Sequence, residues 1–445
     1  MSETRQVRSM SSIGQMIRQE RFKQKMKQST LAEGICSASH LSKIENGTAI
    51  PSEEVLQLLL NKLGIEIKEL SHQDESRIIS SLQAVYKEGI LKRNKEEIRE
   101  YLQQFAEHKI HFQNLHNFYT YNLLMFRLFL ILQDQDQDLS PFIEALRSVE
   151  DQFDHHQKFI FNINVGLFEF FEYKFHSSLL SLEKNLELTK KALLEDWELA
   201  DFHSILGNIY HKNGENFSSV NFTTTALEYY KNHLYFERAM DCYILLGISY
   251  RNLNHFKKAR ENYSLALKLA EDFNLPYYKG MCYHNLGTLY SLEGNSEKAL
   301  EYFHISLDLK KTEQHHGKVL VTIHALIVEY SKLGNSMLVL RWCQKGIDYL
   351  KNELTQDRSA LPITYHYHFS IYKALHTNRQ NLDHLLKEAV KHFEKTFDLR
   401  HIQKYSILLG DHLFHQNKFK LAGEFYQKAN NVIYKQRNVE KWEDL

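Results

Sequence analysis

Proline is scarce, at four in 445 residues, which leaves too few stops for a chain of many short strands. Leu, Lys, Glu, Gln and Tyr are plentiful instead, so the composition predicts an all-α protein. Cysteine is equally sparse. Cys36, Cys242, Cys282 and Cys343 stand far apart with no CxxC pair and no zinc-type spacing, as expected of small buried hydrophobes in a reducing compartment. A long apolar run is missing too: "YNLLMFRLFLIL" is interrupted by Arg127 and falls short of the roughly 20 residues that span a bilayer. No basic stretch followed by an apolar segment opens the chain, so a cytoplasmic protein without membrane contact is expected.

Catalytic signatures are absent from the sequence: no HExxH, nucleophile elbow, glycine-rich phosphate loop or dinucleotide fingerprint. No enzymatic activity and no cofactor are therefore expected. Among 25 histidines, His366 and His368 diverge on a helix, and His412 and His415 lack a third ligand, so no metal site is expected either. Net charge is zero, but residues 1 to 47 carry eight Lys/Arg against four Glu. A basic head on a mildly acidic body points to a nucleic-acid contact at one end.

The chain is too long for one ordinary core, and a repeat array resolves the difficulty. Tyr210, Tyr250, Tyr290 and Tyr330 are spaced by 40, and three of them end "LGNIY", "LGISY" and "LGTLY". Twelve residues after Gly247, Gly287 and Gly410 stand Ala259, Ala299 and Ala422; sixteen after stand Tyr263, Phe303 and Tyr426. Small residues that let paired helices approach, alternating with aromatics that fill the next groove, make the tetratricopeptide pattern. The period exceeds the usual length of about 34, so longer helices are expected.

Ahead of the repeats, residues 1 to 10 read as a polar tail, and Ile13, Met16 and Ile17 begin an amphipathic helix. A short second helix runs from Gln28 or Ser29 towards Gly34. Ser37 caps a third carrying Leu41 and Ile44 on one face, and Ser52 caps a fourth that ends at Gly64. The exposed face of the third, in "SASHLSKIENG", is fringed with small polar groups, as a recognition helix must be to approach the major groove. The landmarks "QSTLAEGI", "LSKIENG" and "PS" resemble the helix-turn-helix of the Cro/C1-type (Xre) repressors. That resemblance places Gln28 on the DNA backbone, Ser37, Ser39, His40 and Lys43 on the recognition face, and a structural acid at Glu45. The expected order is thus a helix-turn-helix at 1–66, a linker at 67–80 and about eight helical pairs at 81–445, coiled into a right-handed superhelix. "LQDQDQDLS" reads as a polar inter-helix loop.

Stacked helical pairs form a concave face lined by the first helix of each pair. The tetratricopeptide register turns Asn164, Asn208, His211, Arg251, His284, Asn285, Thr288, Ser291 and His324 towards it. Asn amides can hold both the C=O and N–H of an extended peptide, and Arg251 can grip a carboxylate by two bonds. Head and body together resemble the RRNPP group of peptide-pheromone receptors. The resemblance implies a homodimer or higher oligomer on a near-palindromic double-stranded operator, controlled by a short signalling peptide. The same build also allows a body that binds a protein such as a phosphorelay response regulator, or one that serves as a scaffold without a peptide.

Overall fold

The computed structural model of the chain describes residues 2–65, 68–106, 110–132, 138–312, 316–354, 360–378 and 381–437. Nearly all of these are helical. The head comprises α1 (Ser2–Lys23), α2 (Gln28–Ala32), α3 (Ala38–Glu45) and α4 (Glu53–Leu63). It is followed by α5 (His72–Leu91), α6 (Lys95–Ala106), α7 (Leu115–Leu132), α8 (Ser140–Arg147), α9 (His155–Phe171) and α10 (Phe175–Leu188). A two-residue parallel pairing, β1 (Lys68–Glu69) with β2 (Ile110–His111), is the sole strand contact among the described residues. Two expectations are corrected here. Residues 2–10 belong to α1, since no glycine or proline precedes Gly14 to stop the helix. The stretch read as a linker becomes helix at His72, because Ser71 is an N-cap whose Oγ accepts from the Asp74 N–H at 3.2 Å. The "LQDQDQDLS" loop falls largely on 133–137, outside the described residues.

Two compact units divide the chain, Met1–Ile205 and Leu206–Leu445. In the first, the head is not a free module: α1 packs on α7 and α8, and the Lys23 ammonium lies 4.3 Å from the centre of the Phe142 ring. A buried ion pair, Arg127 Nη2 to Asp201 Oδ2 at 2.7 Å, ties α7 to the first turns of α11 (Asp196–Lys212).

In the second unit the sequence period becomes geometry. Helices α11 (Asp196–Lys212), which begins in the first unit, α12 (Asn216–Asn232), α13 (Phe236–Asn252), α14 (Phe256–Asp272), α15 (Pro276–Leu292), α16 (Ser296–Thr312) and α17 (His316–Lys332) are each 17 residues long. With three-residue connections, two such helices return the chain to register every 40 residues. The array continues through α18 (Ser336–Glu353), α19 (Leu361–Leu375), α20 (Leu382–Lys395), α21 (Leu399–His415) and α22 (Phe419–Arg437). Gly247 shows why the small residue recurs: a Cβ there would lie 2.3 Å from the Tyr263 ring, and one at Gly287 or Gly410 would meet Phe303 or Tyr426 in the same way.

Within this unit α13 touches α15, α15 touches α17, and α17 touches α19, whereas the even-numbered helices do not meet one another to that extent. The odd helices are therefore the tighter, inner row, and their exposed side chains line a groove. Its curvature brings distant residues together: Lys212 on α11 feels the charges of Lys318 on α17 and Asp398 just ahead of α21.

Candidate DNA-reading surface and inner groove

The head is organised around one buried charge. Glu45, at the end of α3, receives Arg21 Nε on Oε1 at 2.6 Å and Arg21 Nη2 on Oε2 at 2.8 Å. Arg21 Nη1 also donates to the Met26 carbonyl at 2.8 Å, fixing the turn after α1. Gly14 permits the crossing of α1 over α3, since a Cβ there would stand 2.0 Å from the Ile44 carbonyl oxygen. Ile17, Leu31, Leu41 and Leu59, all fully buried, complete the core beneath.

On this base the recognition face takes shape. Ser37 is the N-cap of α3, its Oγ accepting from the His40 N–H at 3.1 Å, so this side chain holds helix geometry. Ser39 and Lys43 are exposed and His40 is half-buried, whereas Leu41 and Ile44 point inward. Gln28, expected on the DNA backbone, is already engaged at the start of α2: its Nε2 donates to Glu45 Oε2 at 2.7 Å. The reason is chemical. A carboxylate held by one arginine keeps further lone pairs, and the nearest amide fills one. Arg18, Lys27 and Ser42 rim an open hollow around Gln28, and Arg18 Nη1 donates to Asn46 Oδ1 at 3.0 Å. The sequence reading missed Arg18 and Lys27, although their basic character beside "QSTLA" was visible.

In the second unit most of the expected groove residues lie on the inner row in differing states. Asn208 is half-buried and makes no hydrogen bond among the described residues. His211 Nδ1 lies 3.2 Å from Asn216 Oδ1, and burial pushes the imidazole down to about 4, with Lys212 and Arg251 adding repulsion. Arg251 is half-exposed and meets only the Asn252 amide, at 3.4 Å. Asn285 Nδ2 bonds the Met281 carbonyl and Thr288 Oγ1 the His284 carbonyl, both within their own helix, so neither is as available as Asn208. Ser291 donates to Glu329, which holds α15 to α17.

His284 Nδ1 stands 3.3 Å from Thr322 Oγ1, and its imidazole is held well below the usual range by burial and by Lys310, Arg251 and Lys318. His324 stacks on His368 with ring centres 4.5 Å apart, and its Nε2 is buried without a hydrogen bond. Asn164, in the first unit, is a correction: it is fully buried, and its Nδ2 donates to the Leu123 carbonyl at 2.9 Å. The amide joins α9 to α7, because the helices in this unit pack more closely than the register alone suggests. Lys310, Lys318 and Thr322 were missed; comparing the same position between repeats would have flagged the first and last of them.

Among the described residues no helix is long and apolar enough to cross a membrane, and no group of three or more His, Cys, Asp and Glu side chains could hold a metal ion.

Known proteins carry the same parts. The helix-turn-helix family description matches residues 17–70, and tetratricopeptide descriptions match 241–273 and 282–316. The transcriptional activator NprA of Geobacillus stearothermophilus is 29% identical over 413 residues, which covers 92% of this chain and 100% of NprA. Response regulator aspartate phosphatase A of Bacillus subtilis is 27% identical over 206 residues, 44% of this chain and 53% of that one. Among solved folds, the quorum sensor NprR of B. thuringiensis without ligand superposes with a TM-score of 0.62 at 17% identity, covering 81% of this chain and 99% of NprR. A Rap protein complexed with competence and sporulation factor superposes at 0.67 and 16% identity, covering 83% and 100%.

Proposed function

The chain has the build of the RRNPP group, a helix-turn-helix head on tetratricopeptide repeats, and we propose that it is a DNA-binding transcriptional regulator governed by a short signalling peptide. The observation that carries this reading is the pairing of two surfaces in one chain. One is a capped α3 with Ser39 and Lys43 exposed; the other is an inner row on which Asn208 and Arg251 stand with little or no engagement.

Ser37, Ser39, His40 and Lys43 are assigned to the recognition helix, with Arg18 and Lys27 on the flanking phosphates. Two copies of the head in a homodimer, or in a higher oligomer, would meet half-sites about one helical turn apart, roughly 34 Å. The peptide acts by binding one arrangement of the repeats more tightly than another, since a ligand of equal affinity for both shifts nothing. This control is by binding alone, without catalysis, and operates in the cytoplasm.

Operator selection from a randomised duplex pool, followed by titration with and without peptides encoded beside the gene, tests the proposal. Replacing Ser39, His40 and Lys43 together by Ala is expected to abolish specific binding and to leave the melting temperature unchanged. Retained operator affinity in that variant would sink the assignment of α3. A second reading, that the repeats bind a response regulator, is supported by the similarity to the B. subtilis phosphatase. Capture of a phosphorelay receiver domain by a chain that ignores every candidate peptide would favour it.

A further inference from the structure

One repeat breaks the rule that the others keep. In the 40-residue register, the last buried position of the second helix is Tyr230, then Ala270, then Lys310, then Leu350. Lys310 is only 2% exposed where its counterparts pack as uncharged side chains. Its neighbours also differ from their counterparts in the adjacent repeats. Gly280 stands where the adjacent repeats place Met240 and Leu320, and a Cβ there would come within 3.2 Å of Lys310 Cγ, so the glycine passes the lysine stem. Thr322 stands where Cys242 and Cys282 fill the same position, and its Oγ1 accepts from Lys310 Nζ at 2.9 Å. Three departures from the register, two in one repeat and one in the next, thus lead an ammonium group from the outer helix α16 to the base of the inner row.

Basic and hydrogen-bonding side chains gather around it. His284 on α15 lies beside Thr322, and the exposed Lys318, one turn earlier on α17, is near enough to act on both His284 and Lys310. Arg251 and His324 are close enough to His284 to repel its proton. Neither Lys310 nor Lys318 forms an ion pair among the described residues, and the carboxylate that acts on Lys318 is Asp241, which also accepts from Tyr278 Oη at 3.3 Å. Burying a cation is costly unless it is paired. Lys318 and Arg251 beside a buried lysine amine invite an anion.

We propose that His284, Thr322 and Lys318, with Lys310 beneath them, form a subsite that takes a carboxylate of the groove-bound peptide, an assignment that rests on the peptide reading above. The carboxylate sits over Lys318 and His284 and supplies the counter-charge that Lys310 lacks. Burial and the nearby Lys318 push the Lys310 ammonium down to about 7, so an arriving anion draws a proton onto it. Binding therefore takes up a proton near neutral pH.

The test uses the full chain and randomised short-peptide mixtures of four kinds: free or amidated at the C-terminus, each with or without Asp and Glu. Peptides retained on the protein are identified by mass spectrometry. The mixture lacking every carboxylate is expected to be retained at least about tenfold less than the others. A preference for free termini assigns the carboxylate to the peptide end, and a preference for Asp or Glu assigns it to a side chain. Lys310→Met, which restores an apolar packing residue, and Lys318→Gln on the surface should both erase the discrimination. Calorimetry of a retained peptide in phosphate and in Tris should show proton uptake by the parent chain and none by Lys310→Met. Retention of carboxylate-free peptides as strong as the rest, or undiminished discrimination by both variants, overturns the subsite alone. If no mixture is retained, the peptide reading falls with it.

Discussion

Arg21 and Glu45 are joined by two parallel hydrogen bonds, at 2.6 and 2.8 Å, across the crossing of α1 and α3. Both side chains are buried, so the pair orders the helix that carries the DNA-reading face and has little contact with solvent. Removing one partner of such a pair costs about 3–5 kcal/mol, because the other charge is stranded. Arg21→Met is accordingly expected to destabilise the head by about that much. Urea denaturation and hydrogen exchange over residues 13–63 would measure it, and an unchanged head would refute the central role given to Glu45.

Gln28 offers a sharper distinction. A side chain that only touched phosphate would lose DNA affinity on truncation and nothing else. Because its amide bonds the Glu45 carboxylate, Gln28→Ala should also lower head stability, by about 1.5–3 kcal/mol for a hydrogen bond to a charged group. Thermal unfolding without DNA separates the two cases.

Gly247 faces the Tyr263 ring too closely for any side chain. Gly247→Ala is expected to cost about 1–3 kcal/mol through overpacking, even though alanine is the better helix former. An increase in stability would mean that the ring has room to turn aside.

The two asparagines treated alike by the repeat register should behave differently. Asn208→Ala is expected to leave the melting temperature within a degree or two and to weaken peptide binding, since its amide makes no hydrogen bond among the described residues. Asn164→Ala removes a buried bond to the Leu123 carbonyl and should cost about 1–3 kcal/mol whatever it does to ligand binding. Parallel melting curves and peptide titrations check both.

Lys310 predicts a pH dependence with a definite sign. Its ammonium is held at about 7 in the folded chain, below its ordinary value of 10.5, so between those limits the unfolded chain binds more protons. Stability contributed by this residue therefore rises as pH increases from about 7 towards 10, and its full cost is present below about 7. Lys310→Met should be more stable than the parent at pH 7, with the gap narrowing towards pH 10, as melting temperatures at the two values would show. An advantage that stays constant with pH would exclude a titrating Lys310.

Some elements were readable residue by residue because their causes are local. Ser37, Ser52 and Gly64 cap or end helices through their own side chains and backbone preferences, and the structure places all three where the spacing puts them. The glycine and aromatic positions of the repeats are equally legible, since each small residue has a large partner at a fixed distance along the chain. Ser71 is legible by the same local rule, since its hydroxyl caps α5 within a polar stretch that otherwise resembles a linker. The bonds of Gln28 and Asn164 lie beyond such reading, for their partners stand on other helices, whereas Lys310 stands out in the register and only its burial does not.

The all-α class, the helix-turn-helix at the front and the 40-residue beat behind it follow from the order of residues alone. Those rest on periodicity and capping, which act over one or two turns of chain. Tertiary structure alone decided which polar groups are available and which are engaged. Whether an amide meets a carboxylate, a carbonyl or open groove depends on helices far apart in sequence, and a buried ammonium is legible as a site only once its missing counter-charge can be seen.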